Sequence, residues 1–200
     1  MTGAVLNALN TRLDAQTIAF MLDHAEAKVV MVDPEFAGTL RAALALRTLS
    51  CALLVVDVED STLEAPADRA GSMTYEELIA EGDPDYGWGL PDDEWDAIAL
   101  NYTSGTTANP KGVVVSHRDT AFNIMGHLMH THITSADRYL WVLPMFHANG
   151  WTFVWTVTAV GGRHVCLPKA DPRLIFEAIS REGITLLCAA PTVLSGMANA

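Results

Sequence analysis

The chain is 200 residues long, half of it hydrophobic, with a mean hydropathy of +0.21 and a formal charge of −12. That size and apolar content can bury a core, as one large or two small domains, and exclude a disordered tail. The acidity is local: 14 of the 24 acidic residues lie at positions 57–96 with Arg69 the only basic residue among them, so no basic stripe exists to neutralise a nucleic acid.

From the N-terminus, "MTGAVLNALNTRLD" has neither the basic start nor the apolar stretch of a secretory signal. Asp14 is placed to cap a helix that carries Ile18, Met21, Leu22 and Ala25 at helical spacing. The apolar run "KVVMVD" then reads as a strand, a second helix starts near Pro34, and "CALLVVD" is another buried strand. The acidic block follows, with Pro66, Pro84, Pro91 and several glycines, which is the composition of a solvated connection. Beyond it "AIALNYT" predicts a strand, "RDTAFNIMGHLMH" a helix, "YLWVLP" a strand, "GWTFVWTVTAV" a helix and "RHVCLP" a strand. "DPRLIFEAISREG" and "ITLLCAAP" add a further helix and strand. Apolar strands alternating with helices specify an α/β fold of mostly parallel sheets flanked by helices. Three segments result: a first βα subdomain at 1–56, an acidic linker region at 57–96, and a second βα subdomain with a hydroxyl-rich hairpin at 97–200.

The longest apolar run, "LWVLPMFHANGWTFVWTVTAV", is interrupted by Pro144, His147, Asn149 and Gly150 and reads as buried core rather than a membrane span. Cys51, Cys166 and Cys188 form no C-x-x-C pair, which argues against a disulfide framework or a thiolate zinc site and fits a reducing cytoplasm. His127, His130 and His132 have no carboxylate or thiolate beside them, so they read as a solvated helix end and no metal site is expected. Arg163 and Lys169 read as surface residues.

The stretch "YTSGTTANPKGVVVSH" carries the chemistry. Gly105 to Lys111 has the separation of a nucleotide-binding P-loop, but Pro110 replaces its second glycine, Gly112 its magnesium-binding hydroxyl, and the following "VVV" is a strand where that loop needs a helix. The segment is therefore strand, loop, strand. Thr103, Ser104, Thr106 and Thr107 supply hydroxyl and backbone N–H donors, Gly105 permits close approach of an anion, and Lys111 adds a mobile cation. An ordinary Gly/Thr-rich turn has the same composition, so the residues alone leave both readings open.

"YTSGTTANPKG" resembles the phosphate-loop motif of the AMP-forming adenylating enzymes, the superfamily of acyl-CoA synthetases, firefly luciferase and peptide-synthetase adenylation domains. "LPMFHANGWTFVWTVTAVGGRHVCL" resembles that superfamily's next motif, and "GAVLNALNTRLDAQTIAFMLDHAEAKVVMVD" an earlier segment of the same large N-terminal domain. The wording near "LPMFHANGW" is most similar to short- and medium-chain fatty acyl-CoA synthetases. The resemblance implies an ATP-dependent ligase that activates a carboxylic acid as its adenylate and passes the acyl group to CoA, with Mg2+ accompanying ATP. It implies that Thr103, Ser104, Gly105, Thr106, Thr107 and Lys111 hold the β- and γ-phosphates. It further implies that His147 stands beside the α-phosphate and the carboxylate, making His147 and Lys111 the catalytic pair, and that Gly150 and Trp151 shape the acyl pocket.

Two departures accompany the resemblance. Ala108 stands where the family has glycine, and Asn109, which tolerates left-handed backbone, is the residue that can absorb the turn. The family's adenine, ribose and C-terminal lysine motifs have no counterpart, so this polypeptide is expected to be a fragment that is inactive alone. A truncated, non-catalytic nucleotide- or acyl-binding remnant is the competing expectation. Trp151 and Trp155, at i and i+4, are expected to share one helix face, where packing and substrate contact explain Trp155 equally well.

Overall fold

Parallel pairing with helical crossovers organises the chain, as the alternation of elements requires. A computed structural model describes residues 3–59, 68–103 and 109–200. The chain divides into two units, each with its own sheet and core.

The first unit holds residues 9–90 and 102–112. Helix α1 (Ala15–His24) starts at Asp14, whose carboxylate accepts the Thr17 N–H at 2.7 Å, and buries Ile18, Ala19, Met21 and Leu22. Strand β1 (Val29–Val32), a 3-10 turn (Pro34–Phe36), helix α2 (Ala37–Leu46) and strand β2 (Leu54–Asp57) follow. Strand β3 (Met73–Thr74) leads directly into helix α3 (Tyr75–Ala80) through a capping box in which Thr74 and Glu77 each satisfy the other's backbone N–H. The sheet order is β1-β2-β3, all parallel, with Val29 opposite Leu54 and Val56 opposite Met73. Ile18, Ala19, Leu22, Val32, Leu40 and Ala43 form the core under this sheet.

Part of the stretch read as an acidic connection is therefore regular structure. Asp57 is 1% exposed because its carboxylate accepts the N–H groups of Ala70 and Gly71 at 2.8 and 2.9 Å, and a β-carbon on Gly71 would lie 2.2 Å from the Val55 carbonyl oxygen. That close backbone approach lets β3 pair beside β2.

Strands β4 (Ala97–Tyr102) and β5 (Gly112–Ser116) pair as a two-stranded sheet. The second unit comprises residues 3–8, 91–101 and 113–200. Leu6 bridges to Ala99, donating to the Ile98 carbonyl and accepting from Leu100, both at 2.9 Å. Ser116 and Asp119 form a capping box at the start of helix α4 (His117–Thr131), which ends on His132 in left-handed conformation. Strand β6 (Arg138–Trp141), a one-turn element α5 (Ala148–Trp151), helix α6 (Phe153–Ala159), strand β7 (Arg163–Cys166), helix α7 (Pro172–Glu182), strand β8 (Leu186–Cys188) and helix α8 (Pro191–Ala198) complete it.

Strand β6 lies between β7 and β8, parallel to both. Its period-2 alternation divides the core. Tyr139 and Trp141 pack with Phe153 and Val157, whereas Leu140 and Val142 pack with Ile175 and Ala178. The helix expected over 150–160 is shorter than its sequence suggested. Gly150, Trp151 and Thr152 precede it with positive φ, so Trp151 and Trp155 do not share a helix face. Arg163 and Lys169 are exposed as expected, Arg163 reaching Glu182 at 3.4 Å.

Candidate functional site

Of the hydroxyl-rich loop, Thr103 and Lys111 are described and Ser104, Gly105, Thr106 and Thr107 lie outside the described residues, as does Ala108. The Thr103 N–H donates to the Lys111 carbonyl at 3.0 Å, holding the two flanks of the loop together. Both residues are exposed, and among the described residues Lys111 has no carboxylate partner, which leaves its ammonium group available to an anion. The strand end is anchored by Tyr102, whose hydroxyl lies 2.8 Å from His24 Nδ1 and 3.4 Å from the Met21 carbonyl; burial pushes this phenol up from its ordinary range.

The second unit carries the other expected site residues on an unusual piece of backbone. Ala148, Asn149, Gly150, Trp151 and Thr152 have φ of +45°, +49°, +58°, +58° and +63°, a single turn of left-handed helix. Each L-residue with a β-carbon in that conformation costs about 1–2 kcal/mol, with asparagine the most tolerant, so the turn stores strain on the order of 5 kcal/mol. The chain accepts it because of what surrounds the turn. A β-carbon on Gly150 would lie 2.3 Å from the Trp141 ring, so no side chain fits there. Trp141 is itself pinned: its Nε1–H donates to His164 Nδ1 at 3.0 Å, and His164 Nε2 lies 3.1 Å from Thr158 Oγ1, whose own proton goes to the Val154 carbonyl. Burial holds the His164 imidazole below its ordinary pKa and so keeps Nδ1 an acceptor.

His147 opens the turn, exposed, with its carbonyl accepting the Gly150 N–H at 3.0 Å. Gly150 is buried inside the turn, and Trp151 is 63% exposed near its end. Beside the turn is a recess of about 400 Å3. Asn101 and Val115 form one wall from β4 and β5, Asn123 and His127 a second from α4, and Asn149, Trp151 and Trp155 a third. Of the expected residues Trp151 lines the recess, whereas Gly150, buried inside the turn, and His147, at its entrance, do not.

The recess contains residues that sequence reasoning passed over. Expected at a solvated helix end, His127 instead is half-buried, stacks on Phe153 with ring centroids 4.5 Å apart and lies 2.9 Å from Thr156 Oγ1. Thr156 gives its proton to the Thr152 carbonyl, so His127 Nδ1 is the donor and its Nε2 the free acceptor. Burial first, then neighbouring His130, holds His127 below the ordinary imidazole range. The signal in sequence was the i, i+4 spacing of Asn123 and His127, which puts both on one helix face. Asn101 and Asn149 were also missed. Asn149 Oδ1 accepts from Asn101 Nδ2 at 2.8 Å, both side chains buried. Among the described residues no group of three or more histidine, cysteine or carboxylate side chains could hold a metal ion.

Comparison with known proteins places these features in one family. The family described as AMP-binding enzyme matches residues 1–200. A 2-methylpropanoate–CoA ligase of Humulus lupulus is 42% identical over 204 residues, covering 100% of this chain and 37% of the ligase. An acetate–CoA ligase of the same plant is 43% identical over 210 residues, with the same coverage of both. Among solved structures, a putative long-chain-fatty-acid CoA ligase from Rhodopseudomonas palustris superposes with a TM-score of 0.79 at 21% identity, over 98% of this chain and 47% of that one. This chain spans little more than a third of the length of the two plant ligases.

Proposed function

The chain belongs to the AMP-binding enzyme family, and on that premise we propose that the whole protein is an ATP-dependent carboxylic acid–CoA ligase. The observation that carries the reading is the 42–43% identity, over the full chain, to enzymes named as ligases of acetate and 2-methylpropanoate. In the proposed reaction the carboxylate oxygen attacks the α-phosphorus of ATP and the bond to the bridging oxygen breaks, giving acyl adenylate and pyrophosphate. The CoA sulfur, losing its proton, then displaces AMP at the acyl carbon to give the thioester.

Reactions of this kind ask the protein for position and charge neutralisation more than for covalent chemistry. In this reading the hydroxyls and N–H groups of Thr103, Ser104, Thr106 and Thr107, with Gly105 and Lys111, hold the β- and γ-phosphates. The exposed ammonium group of Lys111, without a carboxylate partner among the described residues, supports that role. Mg2+ travels with those phosphates, because such ions are held by substrate oxygens and waters more than by protein cages. His147 stands beside the α-phosphate and carboxylate, where an imidazole N–H stabilises the charge passing between them. Gly150 and Trp151 shape the acyl pocket. A recess of about 400 Å3 is near the small end of ligand sites, which run roughly 300–1,000 Å3, and supports a short acid. No helix among the described residues is long and apolar enough to cross a membrane, and three free cysteines favour a reducing compartment, here taken as the cytoplasm.

The test is exchange of labelled pyrophosphate into ATP by the full-length protein with a panel of short carboxylic acids, followed by mass identification of the adenylate and of the CoA thioester. Acid-dependent exchange with acetate, butyrate or 2-methylpropanoate is expected. Absence of exchange with every acid, in a folded protein that contains this chain, overturns the reading.

A further inference from the structure

The hand of the turn at Ala148–Thr152 is not selected by its own backbone. The Gly150 N–H to His147 carbonyl and Thr152 N–H to Ala148 carbonyl bonds, both 3.0 Å, close a turn of either hand. What favours the left-handed form lies outside it. Gly150 carries no β-carbon where the Trp141 ring stands, and Asn149, a residue type at ease with positive φ, turns its side chain inward. There Asn149 Oδ1 meets Asn101 Nδ2 at 2.8 Å, with Asn149 1% and Asn101 9% exposed. Among the described residues this is the one hydrogen bond made by any side chain of the turn.

As a source of stability the pair is poor. Asn101 Oδ1 and Asn149 Nδ2 are both buried without a partner, so two desolvated amides share a single bond. Such a pair fixes an orientation while contributing little to folding, which points to geometry as its role. We propose that Asn101 is a positioning residue: through Asn149 it locks the turn in its left-handed form and so presents His147, at the turn's entrance, and Trp151, near its end, to the carboxylic acid. What is presented rests on the ligase reading above; the lock itself does not.

In the full-length protein, Asn101→Leu removes the donor while keeping a side chain branched at the same carbon. Asn101→Asp keeps the tie, as a carboxyl donating to Asn149 Oδ1 or as a carboxylate accepting from Nδ2 once that amide turns over. The leucine variant is expected to raise KM for the acid about tenfold, with KM for ATP within about twofold and the unfolding midpoint unchanged or higher, and the aspartate variant to recover most of the loss. An unchanged acid KM in a folded leucine variant overturns the proposal. So does a joint fall of both substrates' KM performance and of stability without rescue by aspartate, which marks a merely structural residue. If the leucine variant does not fold, Asn149→Gly keeps the backbone freedom and deletes only the side chain; the same acid KM shift is expected, and no shift overturns the proposal. A wild-type protein without acid-dependent exchange sinks the ligase reading alone. The lock is then judged by NMR: the backbone couplings of Asn149 and Trp151 should report positive φ in wild type and a mixture of both hands in the leucine variant, and unchanged couplings overturn it.

Discussion

At position 150 a β-carbon would have to stand 2.3 Å from the Trp141 ring while being carried at φ +58°. Gly150→Ala should therefore combine left-handed strain with overpacking and destabilise the second unit by about 3 kcal/mol, measured by urea unfolding followed through tryptophan fluorescence. Lys111 makes the opposite prediction. Its exposed side chain supports nothing else among the described residues, so Lys111→Ala should leave the unfolding midpoint unchanged. ATP affinity should fall roughly ten- to a hundredfold by titration calorimetry, the worth of one charge-assisted bond. Resemblance implied a pocket role for Gly150, but the reason the structure gives for a glycine there is a ring nine positions upstream on another element, which no local pattern encodes. His127 was missed for a related reason. Grouped with His130 and His132 it looks like a polar helix end, and only its four-residue spacing from Asn123 marks the inward face.

Elements whose ends carry their own chemistry were legible in the sequence. Asp14 before the apolar spacing of α1 is a cap that works within one turn, and the structure has its carboxylate on the Thr17 N–H. Asp14→Ala should cost about 1 kcal/mol, read as a lower urea midpoint for the first unit with little change in its slope. Strands β1, β2, β6, β7 and β8 were equally visible, as short apolar runs set between helices. The short turn Ala148–Trp151 was not. Its residues continue the apolar pattern of α6, and the reversal of hand comes from Trp141 and Asn101, so helix periodicity was extended three residues too far. Strand β3 and helix α3 were hidden by the acidic composition around them; a two-residue strand gives no period to detect, and the Thr74/Glu77 capping box was the available signal.

Across the chain the titrating groups set a direction for pH dependence. Asp23 accepts the N–H groups of Thr48 and Leu49, the Thr48 hydroxyl and the Arg47 guanidinium; although burial opposes the charge, these bonds hold its carboxyl at about 2. A carboxyl depressed in the folded state contributes stability that is present above its unfolded pKa and lost as pH falls through the folded one, here between about 4 and about 2. His127 and His164 are depressed by burial, so the unfolded chain takes up protons first and stability falls as pH drops below about 6.5. Protonated His164 also ceases to accept from Trp141. Unfolding midpoints measured from pH 8 to pH 2 should therefore decline in two stages, the first from the second unit's histidines and the last from depressed carboxyls of both units, Asp23 in the first and Asp137 and Glu182 in the second; a midpoint flat between pH 7 and pH 5 would contradict the histidine assignment.

The order β7-β6-β8 has a consequence for how this polypeptide is made. Strand β6 is the middle of its sheet, yet its neighbour β8 leaves the ribosome last, some twenty residues after Cys166. At roughly 5–20 residues per second, the nascent chain carries β6 with one bare edge for about one to four seconds after β7 has docked. Tyr139, Leu140 and Trp141 are the residues that a cotranslational chaperone would have to shield in that interval.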